Sequence, residues 1–535
     1  MADFGVLSLL PPLVAIILAM WTKRVILALF AGVWIGGVMV SGWNPIAGTT
    51  QTIDWLVKNA SDSWNVKILL FDFLIGAGVG LIYKSGGAFA VGRALASRVR
   101  SSRGASVMGW LLGVLIFFDD YTNTIIVGNT MRPITDRTRV SREMLAYIDD
   151  STAAPVAGIA VVSTWIGYEV GLIGDSFSKL KVDLTAVGGP YGAWAHSVPY
   201  RFYSILAILL VFLVAYFHRH YGPMLHAEMR ARTTGKVLRD GAKPLMTTEV
   251  DLGVPKEGGS VHLFVWPILT LIFVTLYGMW YTGGGSEAFA KGGLREVLGN
   301  ADSAMALLWG SFAMVVVAFA LVLATKQMTI EEAEDAMVRG MKQMIIANTI
   351  LLLAWSIKSA TDAVGTAPYI VELAKSAGIS GGWVPLIVFL ISMFISFTTG
   401  TSWGTFSIML PIAIPLAYGI TGNLGPEVFA SIGAVFAGGI FGDHCSPISD
   451  TTIMSSMFSG SDHIDHVTTQ IPYAVTASSV GLVLYLLFGL GIRNWAILLL
   501  IGIVLLVIAW YLLSEWYGKK YGILHGKVPV YVAED

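Results

Sequence analysis

Long apolar runs separated by polar segments recur along the whole chain. Each run is about 20 residues long, which lets a helix cross the roughly 30 Å hydrocarbon core of a bilayer. We therefore predict an all-α polytopic membrane protein with about 11 transmembrane helices. The predicted spans are 5–22, 25–42, 66–83, 144–168, 199–217, 262–281, 303–325, 343–360, 428–460, 471–490 and 494–514.

Composition agrees with this pattern. Of 535 residues, 55% are hydrophobic and 13% charged, and the mean hydropathy is +0.70. A soluble chain carries about twice that charge. The first apolar run ends at Lys23 and Arg24 without a small-residue cleavage site, so we expect a membrane helix there rather than a signal peptide.

Several functional classes are excluded. Cys445 is the only cysteine, so neither an intramolecular disulfide nor a cysteine-based zinc site can form. Runs of like charge are too short for nucleic-acid binding. A Walker-type phosphate loop is missing from the sequence, which argues against ATP-driven transport.

The basic residues are concentrated in particular loops. Segment 84–103 holds five basic residues and no acid, and segment 219–243 holds six basic residues against two acids. Because positive loops face the cytoplasm, both are predicted to be inside. Segments 43–65, 169–198 and 282–302 are nearly balanced in charge and fit the outside. Segment 326–342 is placed inside by alternation alone.

Two segments fit re-entrant hairpins better than single crossings. A single crossing by 105–131 would put the following arginines outside, whereas a hairpin from the cytoplasm that turns near 119–124 keeps them inside. We expect the counterpart at 383–416 to enter from outside and to turn near 399–404. Non-helical backbone at such depth must be buried in protein or face a water-filled cavity.

The two halves of the chain resemble one unit written twice, about 280 residues apart. Each copy would cross the membrane five times, so the second copy would be inverted. We predict a first repeat at 1–217, a cytoplasmic linker at 218–260, an inverted second repeat at 261–491, and an extra helix and tail at 492–535. Inverted repeats with discontinuous helices are typical of secondary transporters.

The predicted hairpin tips carry candidate ligands for a cation. A carboxylate within the membrane must be paired, protonated or bound to a cation, and hydroxyl and amide oxygens suit hard cations. The rival interpretations are an ordinary cytoplasmic turn for the first tip and a small-residue packing face for the second. The candidates are Asp119, Asp120, Thr122, Asn123 and Thr124 in the first tip and Thr399, Thr401, Ser402 and Thr405 in the second.

Two further candidates are proline-interrupted helices, at 148–155 and 442–452. A proline frees a backbone carbonyl, and unwound carbonyls with helix ends commonly bind cations in transporters. A His/Asp/Cys metal site is the rival, but its spacing matches no zinc pattern. The candidates are Asp149, Asp150, Ser151 and Thr152 in the first break and Asp443, His444, Ser446, Asp450 and Thr451 in the second.

The sequence GDHCSPISDTT at 442–452 resembles the signature of the NhaC-type sodium/proton antiporter family. The motifs at 119–121, 149–155 and 197–203 are similar to that family's first-half motifs, and the resemblance spans roughly 66–490. It implies a fold of inverted repeats with paired hairpins, and a homodimer. Related dicarboxylate carriers have Ser-Asn-Thr at both tips; 122–124 matches in part, whereas 401–403 departs.

The leading hypothesis is a sodium/proton antiporter of the cell membrane in which Asp149, Asp150 and Asp443 form the central Na⁺ and H⁺ site. The alternative is a sodium- or proton-coupled transporter of an organic anion or amino acid, which the resemblance also allows. Neither tip contains lysine or arginine, which favours cations over a carboxylate solute. An intramembrane hydrolase using His444 is the third possibility; duplication does not predict it, so we expect no enzyme. No cofactor is expected beyond the two ions.

Overall fold

The computed structural model describes residues 4–22, 24–96, 99–161, 163–244, 252, 254–447 and 449–533. Ile448 and the side chains of Thr122 and Asp450 lie outside the described part. The helices of the first half are α1 Leu10–Thr22, α2 Val25–Val40, α3 Pro45–Ala60, α4 Ser63–Lys84, α5 Gly87–Ala96, α6 Ser102–Leu115, α7 Asp120–Arg137, α8 Arg142–Thr152, α9 Ala154–Ala157, α10 Thr164–Lys179, α11 Gly189–Ser197, α12 Phe202–Phe217 and α13 Pro223–Thr234.

The rest of the chain is also helical. Its helices are α14 His262–Thr282, α15 Gly285–Asn300, α16 Ser303–Ala324, α17 Ile330–Val364, α18 Thr366–Ser376, α19 Val384–Thr399, α20 Ser402–Thr421, α21 Pro426–Cys445, α22 Asp450–Ser459, α23 His463–Gly489 and α24 Trp495–Tyr521. The extended pairings seen in the described ranges are isolated bridges, such as the one between Arg219 and Lys527.

In the described residues, eight helices are long and apolar enough to cross a membrane, and a ninth is gained if 189–200 and 202–217 form one bent span. The eight are α4, α14, α16, α17, α20, α21, α23 and α24. The chain is thus an all-helical, multi-pass membrane protein. Apolar helices at 5–15, 26–40 and 381–397 are shorter. The predicted span 144–168 is divided among α8, α9 and α10.

Segment 169–198, which we predicted to be an outside loop, contains most of α10 and all of α11. Helix α10 is largely buried and packs against α4, α17 and α20. Its apolar run is interrupted by Glu169 and Asp175, which hid it from a hydropathy pattern. Likewise, α17 begins at Ile330 rather than near 343, because the capping box of Thr329 and Glu332 starts the helix earlier.

The two predicted hairpin segments are pairs of helices with short connections. Helices α6 and α7 are joined by 116–119, and α19 and α20 by 400–401. Gly400 has φ 69°, a left-handed conformation that favours glycine and ends α19 sharply. Glycine also permits close packing of α19 on α21, because a side chain at Gly442 would collide with the backbone of Phe397.

Both predicted breaks are present. Helix α8 ends at Thr152, Ala153 has φ −82° and ψ −93°, and the short α9 begins at once. Helix α21 ends at Cys445, and α22 begins at Asp450 beyond Pro447. Helix α8 packs against both α22 and α23, so the break of the first half lies beside that of the second.

Candidate functional site

Asp150 lies two residues before the end of α8 and is fully buried. Its hydrogen-bond partners come from the other half of the chain. Its Oδ2 accepts a hydrogen bond from Thr452 Oγ1 at 3.0 Å and another from Gln470 Nε2 at 2.6 Å. His466 Nε2 lies 3.8 Å from the same oxygen. The other carboxylate oxygen, Oδ1, has no hydrogen-bond partner among the described residues.

Asp443, near the end of α21, is the buried acid of the second break. Its Oδ1 accepts a hydrogen bond from Ser449 Oγ at 2.5 Å, and its Oδ2 accepts one from Ser402 Oγ at 3.0 Å. Ser402 is the first residue of α20, so this bond attaches the second helix pair to the break. Among the predicted second-tip candidates that the structure describes, Ser402 donates its hydroxyl to an acid.

Thr452 and Gln470 join the two breaks. Thr452 Oγ1 lies 3.0 Å from both Asp150 Oδ2 and the carbonyl oxygen of Asp443. Gln470 Nε2 lies 2.6 Å from both Asp150 Oδ2 and the carbonyl oxygen of His444. The structure therefore brings Asp150 and Asp443 to one hydrogen-bonded cluster, in which buried oxygens are dense.

His444 lies at the edge of this cluster. Its Nδ1 lies 2.7 Å from Tyr203 Oη, while Nε2 has no partner in the described part of the chain. Ser446 and Thr451, also predicted, are buried nearby; Thr451 Oγ1 lies 3.1 Å from Ser449 Oγ. Asp450 was predicted as a ligand, but its side chain is outside the described residues.

The first helix pair reaches the break of α8 through Asn123. Its Nδ2 lies within 3.0 Å of the carbonyl oxygens of Gly113, Ile116 and Thr152, at the end of α6 and at the break. Its Oδ1 is buried and has no partner among the described groups. Carbonyls freed by helix ends need such donors when buried, so Asn123 fixes both ends in place.

Both acids of the first tip are buried, and Asp119 lies beside the beginning of α10. Asp119 Oδ2 accepts a hydrogen bond from Thr164 Oγ1 at 3.0 Å, and Asp120 is buried as the first residue of α7. Thr122 was also predicted as a ligand, and its side chain is not described.

Several predicted hydroxyls bond to their own helix. Thr124, Thr152, Thr399 and Thr405 each donate to a backbone carbonyl three or four residues earlier, and Thr401 caps α20 by accepting from Gly404 N. Ser151 is fully buried. These hydroxyls are positioned by secondary structure rather than aimed at an acid.

Asp149, adjacent to Asp150, is fully buried, and neither of its carboxylate oxygens has a hydrogen-bond partner in the described residues. A buried charge without a partner costs several kcal/mol, and two adjacent carboxylates repel each other. Asp149 therefore requires a proton or a bound cation. Asp72 on α4 is buried in the same way and was not predicted.

Thr452, Gln470, His466 and Ser449 were not predicted as site residues. Thr452 and Ser449 lie within the 442–452 motif, and Gln470 lies two residues before Pro472. The buried ion pair between Arg201 and Glu169, with 2.9 Å between nitrogen and oxygen, was not predicted either. Because Glu169 neutralises it, Arg201 is not available to bind an anionic solute.

Residues 400–404 read Gly-x-Ser-x-Gly, the pattern of a hydrolase nucleophile turn. The pattern requires a histidine as the base of the serine. Ser402 Oγ instead donates to the carboxylate of Asp443. The geometry fits a ligand cluster better than a catalytic triad.

A separate cluster of His218, His220 and Glu228 lies beyond the end of α12, with one possible ligand atom from each within 4.8 Å of the others. Burial lowers the pKa of both His218 and His220 to about 3, so both are neutral at physiological pH. Glu228 is already paired with Arg232 at 2.6 Å and accepts from Ser141 N. The positive charge beside this acid opposes binding of a metal cation.

The central cluster is chemically suited to a small hard cation. It offers carboxylate, hydroxyl and carbonyl oxygens, which are the ligands such ions prefer, and it contains no thiolate ligand because the nearby Cys445 is a buried free thiol. Protonation of the same carboxylates would compete with the cation. The arrangement can therefore exchange one for the other.

Comparison with known proteins agrees with this chemistry. The model of the Na⁺/H⁺ antiporter family matches residues 156–490, which is more than half of the chain. An uncharacterized protein of Haemophilus influenzae is 37% identical over 503 residues, covering 91% of this chain and 92% of that protein. The arginine/ornithine antiporter ArcD of Halobacterium salinarum is 32% identical over 200 residues, 36% of this chain and 38% of ArcD.

Among solved structures, Neisseria gonorrhoeae MtrF, described as illuminating a class of antimetabolite efflux pumps, is similar with a TM-score of 0.53. The similarity covers 90% of this chain and 86% of MtrF, at 16% sequence identity. At that identity the likeness concerns the fold alone.

Proposed function

The chain belongs to the Na⁺/H⁺ antiporter family, and we propose that within it this protein exchanges Na⁺ for H⁺ at the cluster around Asp150 and Asp443. It is a secondary transporter and not an enzyme. The observation that carries the proposal is that Thr452 and Gln470 each contact the carboxylate of Asp150 in one broken helix and a backbone carbonyl oxygen, of Asp443 or His444, at the end of the other.

The exchange follows from competition for these carboxylates. Na⁺ bound by Asp150, Asp149 or Asp443 replaces the water lost on burial, and a proton on the same oxygens removes the charge that attracts Na⁺. The site cannot be left charged and empty without a cost of several kcal/mol. A transporter that uses this site therefore changes conformation with either Na⁺ or H⁺ bound.

The architecture we propose for this cycle is a pair of inverted repeats, 1–217 and 261–491, joined by a cytoplasmic linker at 218–260 and followed by an extra segment at 492–535. Together they would give about 11 membrane helices. Helices α6 and α7 would form a re-entrant hairpin from the cytoplasm, and α19 and α20 one from outside. The basic loop at 219–243 supports this orientation.

The direct test uses Asp150→Asn and Asp443→Asn in proteoliposomes that carry a pH-sensitive dye. Asparagine keeps the shape and removes the titrating charge, so we expect Na⁺-driven proton movement to fall at least tenfold in each variant while the protein still inserts and folds. Asp54→Asn, an exposed acid on α3, is the matched control and should behave as wild type. Near-normal exchange in both site variants would move the site elsewhere.

A second candidate function is sodium- or proton-coupled transport of an amino acid or organic anion. It is favoured by the similarity to ArcD, which is named an arginine/ornithine antiporter. Adding arginine, ornithine, malate or lactate inside the same liposomes distinguishes the two. Proton or Na⁺ movement that requires one of these solutes would favour the second candidate.

We also propose that the protein is a homodimer, with the first two helices of each repeat forming the fixed interface. A carrier that moves one bundle needs a stationary surface beside it. Large apolar side chains exposed on α1 and α14, such as Trp21 and Phe273, support this choice. Mass measurement in native lipid should give twice the 57.5 kDa chain mass, and a monomer alone would contradict it.

A further inference from the structure

Asp72 is a buried acid near the middle of α4, and the cluster around Asp150 and Asp443 does not use it. It is 1% exposed, and neither of its carboxylate oxygens has a hydrogen-bond partner among the described residues. Helix α4 is one of the membrane spans, and Asp72 lies roughly 14 Å and 18 Å from its two ends. An ionised carboxylate at this depth is strongly unfavourable unless it has a partner.

The Asp72 carboxylate is covered by the glycine face of α10. Gly167, Gly171 and Gly174 all turn toward α4. A side-chain carbon added at Gly167 would lie 2.4 Å from the ring of Phe71 and 3.1 Å from Asp72 Oδ1. Because glycine has no side chain, the backbone of α10 comes close enough to shield the carboxylate from water.

In the described part of the chain, the helices packed on α4 bring no positive charge to Asp72. Helices α14 and α16 contain no charged residue apart from His262, the first residue of α14. Helix α17 meets this part of α4 through Asn348, whose Nδ2 donates to a carbonyl oxygen of α4 at 3.3 Å. Lys342 of α17 is exposed and lines a groove beside Phe73.

The remaining charged groups lie farther along α4 or are already paired. Lys67 of α4 itself forms an ion pair with Asp302 at 2.5 Å. Helices α3 and α5 adjoin the two ends of α4. Tyr168 of α10 is the titratable side chain within electrostatic reach of Asp72, and its hydroxyl donates to the carbonyl oxygen of Trp403 at 2.5 Å.

We propose that Asp72 is a second proton-binding site, separate from the central cluster, and that the bound proton holds α10 against α4. A metal cation needs several oxygen ligands, and the described residues offer none beside this carboxylate. A neutral carboxyl stays buried at much lower cost than an ionised one. Ionisation therefore requires water, which reaches Asp72 only when α10 separates from α4.

Helix α10 connects this proton site to the tip of the second helix pair. Its other side packs on α20, where Tyr168 donates to the carbonyl oxygen of Trp403. Trp403 follows Ser402, the residue that donates to Asp443. The proton on Asp72 thus stabilises a helix that holds this tip, and it does so whether or not the central cluster exchanges Na⁺ for H⁺.

Amide hydrogen exchange of α10 between pH 6 and pH 9, measured on the full chain in lipid nanodiscs, tests the site. The packed state holds one proton more than the open state, so the opening equilibrium constant of α10 should gain about tenfold per pH unit from Asp72. This gain should vanish in Asp72→Asn and also in Asp72→Ala. Alanine leaves a cavity and raises opening at every pH, but the pH slope should match that of the asparagine variant.

The matched control is Asp54→Asn, an exposed acid of α3, which should keep the wild-type slope. Solid-state NMR of protein with ¹³C-labelled aspartate carboxyl groups gives a second measurement. At pH 8 the wild type and Asp54→Asn should show a protonated carboxyl signal that both Asp72 variants lack. If Na⁺ drives no proton movement in the wild type but these results hold, the exchange proposal fails and the Asp72 site stands.

Two results would overturn the second proton site. One is an equal pH slope of α10 opening in the wild type and in both Asp72 variants. The other is a protonated aspartate signal at pH 8 that is the same in the wild type and in both variants.

Discussion

Replacing Thr452 by valine should make the exchanger require a higher pH. The substitution is nearly isosteric and removes one hydrogen-bond donor from the carboxylate of Asp150, which Thr452 Oγ1 contacts at 3.0 Å. Donors to a carboxylate favour its charged form, so losing one favours the proton over Na⁺. Exchange of Na⁺ for H⁺ should then begin only at a higher pH than in the wild type.

The size of the shift follows from the geometry. A hydrogen bond to a charged group contributes about 1.5–3 kcal/mol. The single Thr452 hydrogen is shared between Asp150 Oδ2 and the carbonyl oxygen of Asp443, both at 3.0 Å, so the lower end applies. At about 1.4 kcal/mol for each pH unit, the pH of half-maximal exchange should rise by about one unit.

The assay is the initial rate of Na⁺-driven proton movement in proteoliposomes between pH 6 and pH 9. Thr452→Ser keeps the hydroxyl and should restore the wild-type midpoint. Thr469→Val removes a hydroxyl that donates to the carbonyl of Asp465 instead, and should not shift it. An unchanged or lower midpoint in Thr452→Val, or an equal shift in Thr452→Ser, would refute the reasoning.

Three further predictions concern stability. Arg201→Met leaves buried Glu169 without its partner and should destabilise the protein by about 3–5 kcal/mol, seen as a lower unfolding temperature, with partial recovery when Glu169→Gln is added. Asn123→Leu leaves carbonyls at two helix ends without a donor and should lower the unfolding temperature by an amount corresponding to at least about 1 kcal/mol. Burial lowers the pKa of His218 and His220 to about 3. As the pH falls below 6.5, a state in which the C-terminal segment has detached and exposed these histidines therefore binds protons before the folded state does. Hydrogen exchange should therefore show the C-terminal segment, whose Val528 N donates to the carbonyl of His218, losing protection between pH 6.5 and 4, and less so in a His218→Gln/His220→Gln double variant.

The membrane class, the two helix pairs and the two breaks were predictable because local features encode them. Apolar length marks a span, and a proline such as Pro447 marks an interruption wherever the helix lies. Helix α10 was not predictable in this way, because its burial against other helices tolerates Glu169, which a lipid-facing helix would not.

The partners of Asp150 could not be found from sequence for a different reason. Thr452 and Gln470 are 302 and 320 residues away along the chain, and threonine and glutamine have no distinctive spacing to the acid they serve. The acids are conspicuous in apolar sequence because they are costly there. Threonine and glutamine, which supply the hydrogen-bond donors, cost little free energy almost anywhere in a helix. The sequence therefore does not distinguish these two from other threonines and glutamines.

The division of Asp150 and its donors between the two ends of the chain makes the cluster a property of the whole protein. A chain ending at residue 217 would contain the acid without Thr452 and Gln470, and a chain beginning at residue 261 would contain the donors without the acid. Neither half alone could form the hydrogen-bonded cluster around Asp150.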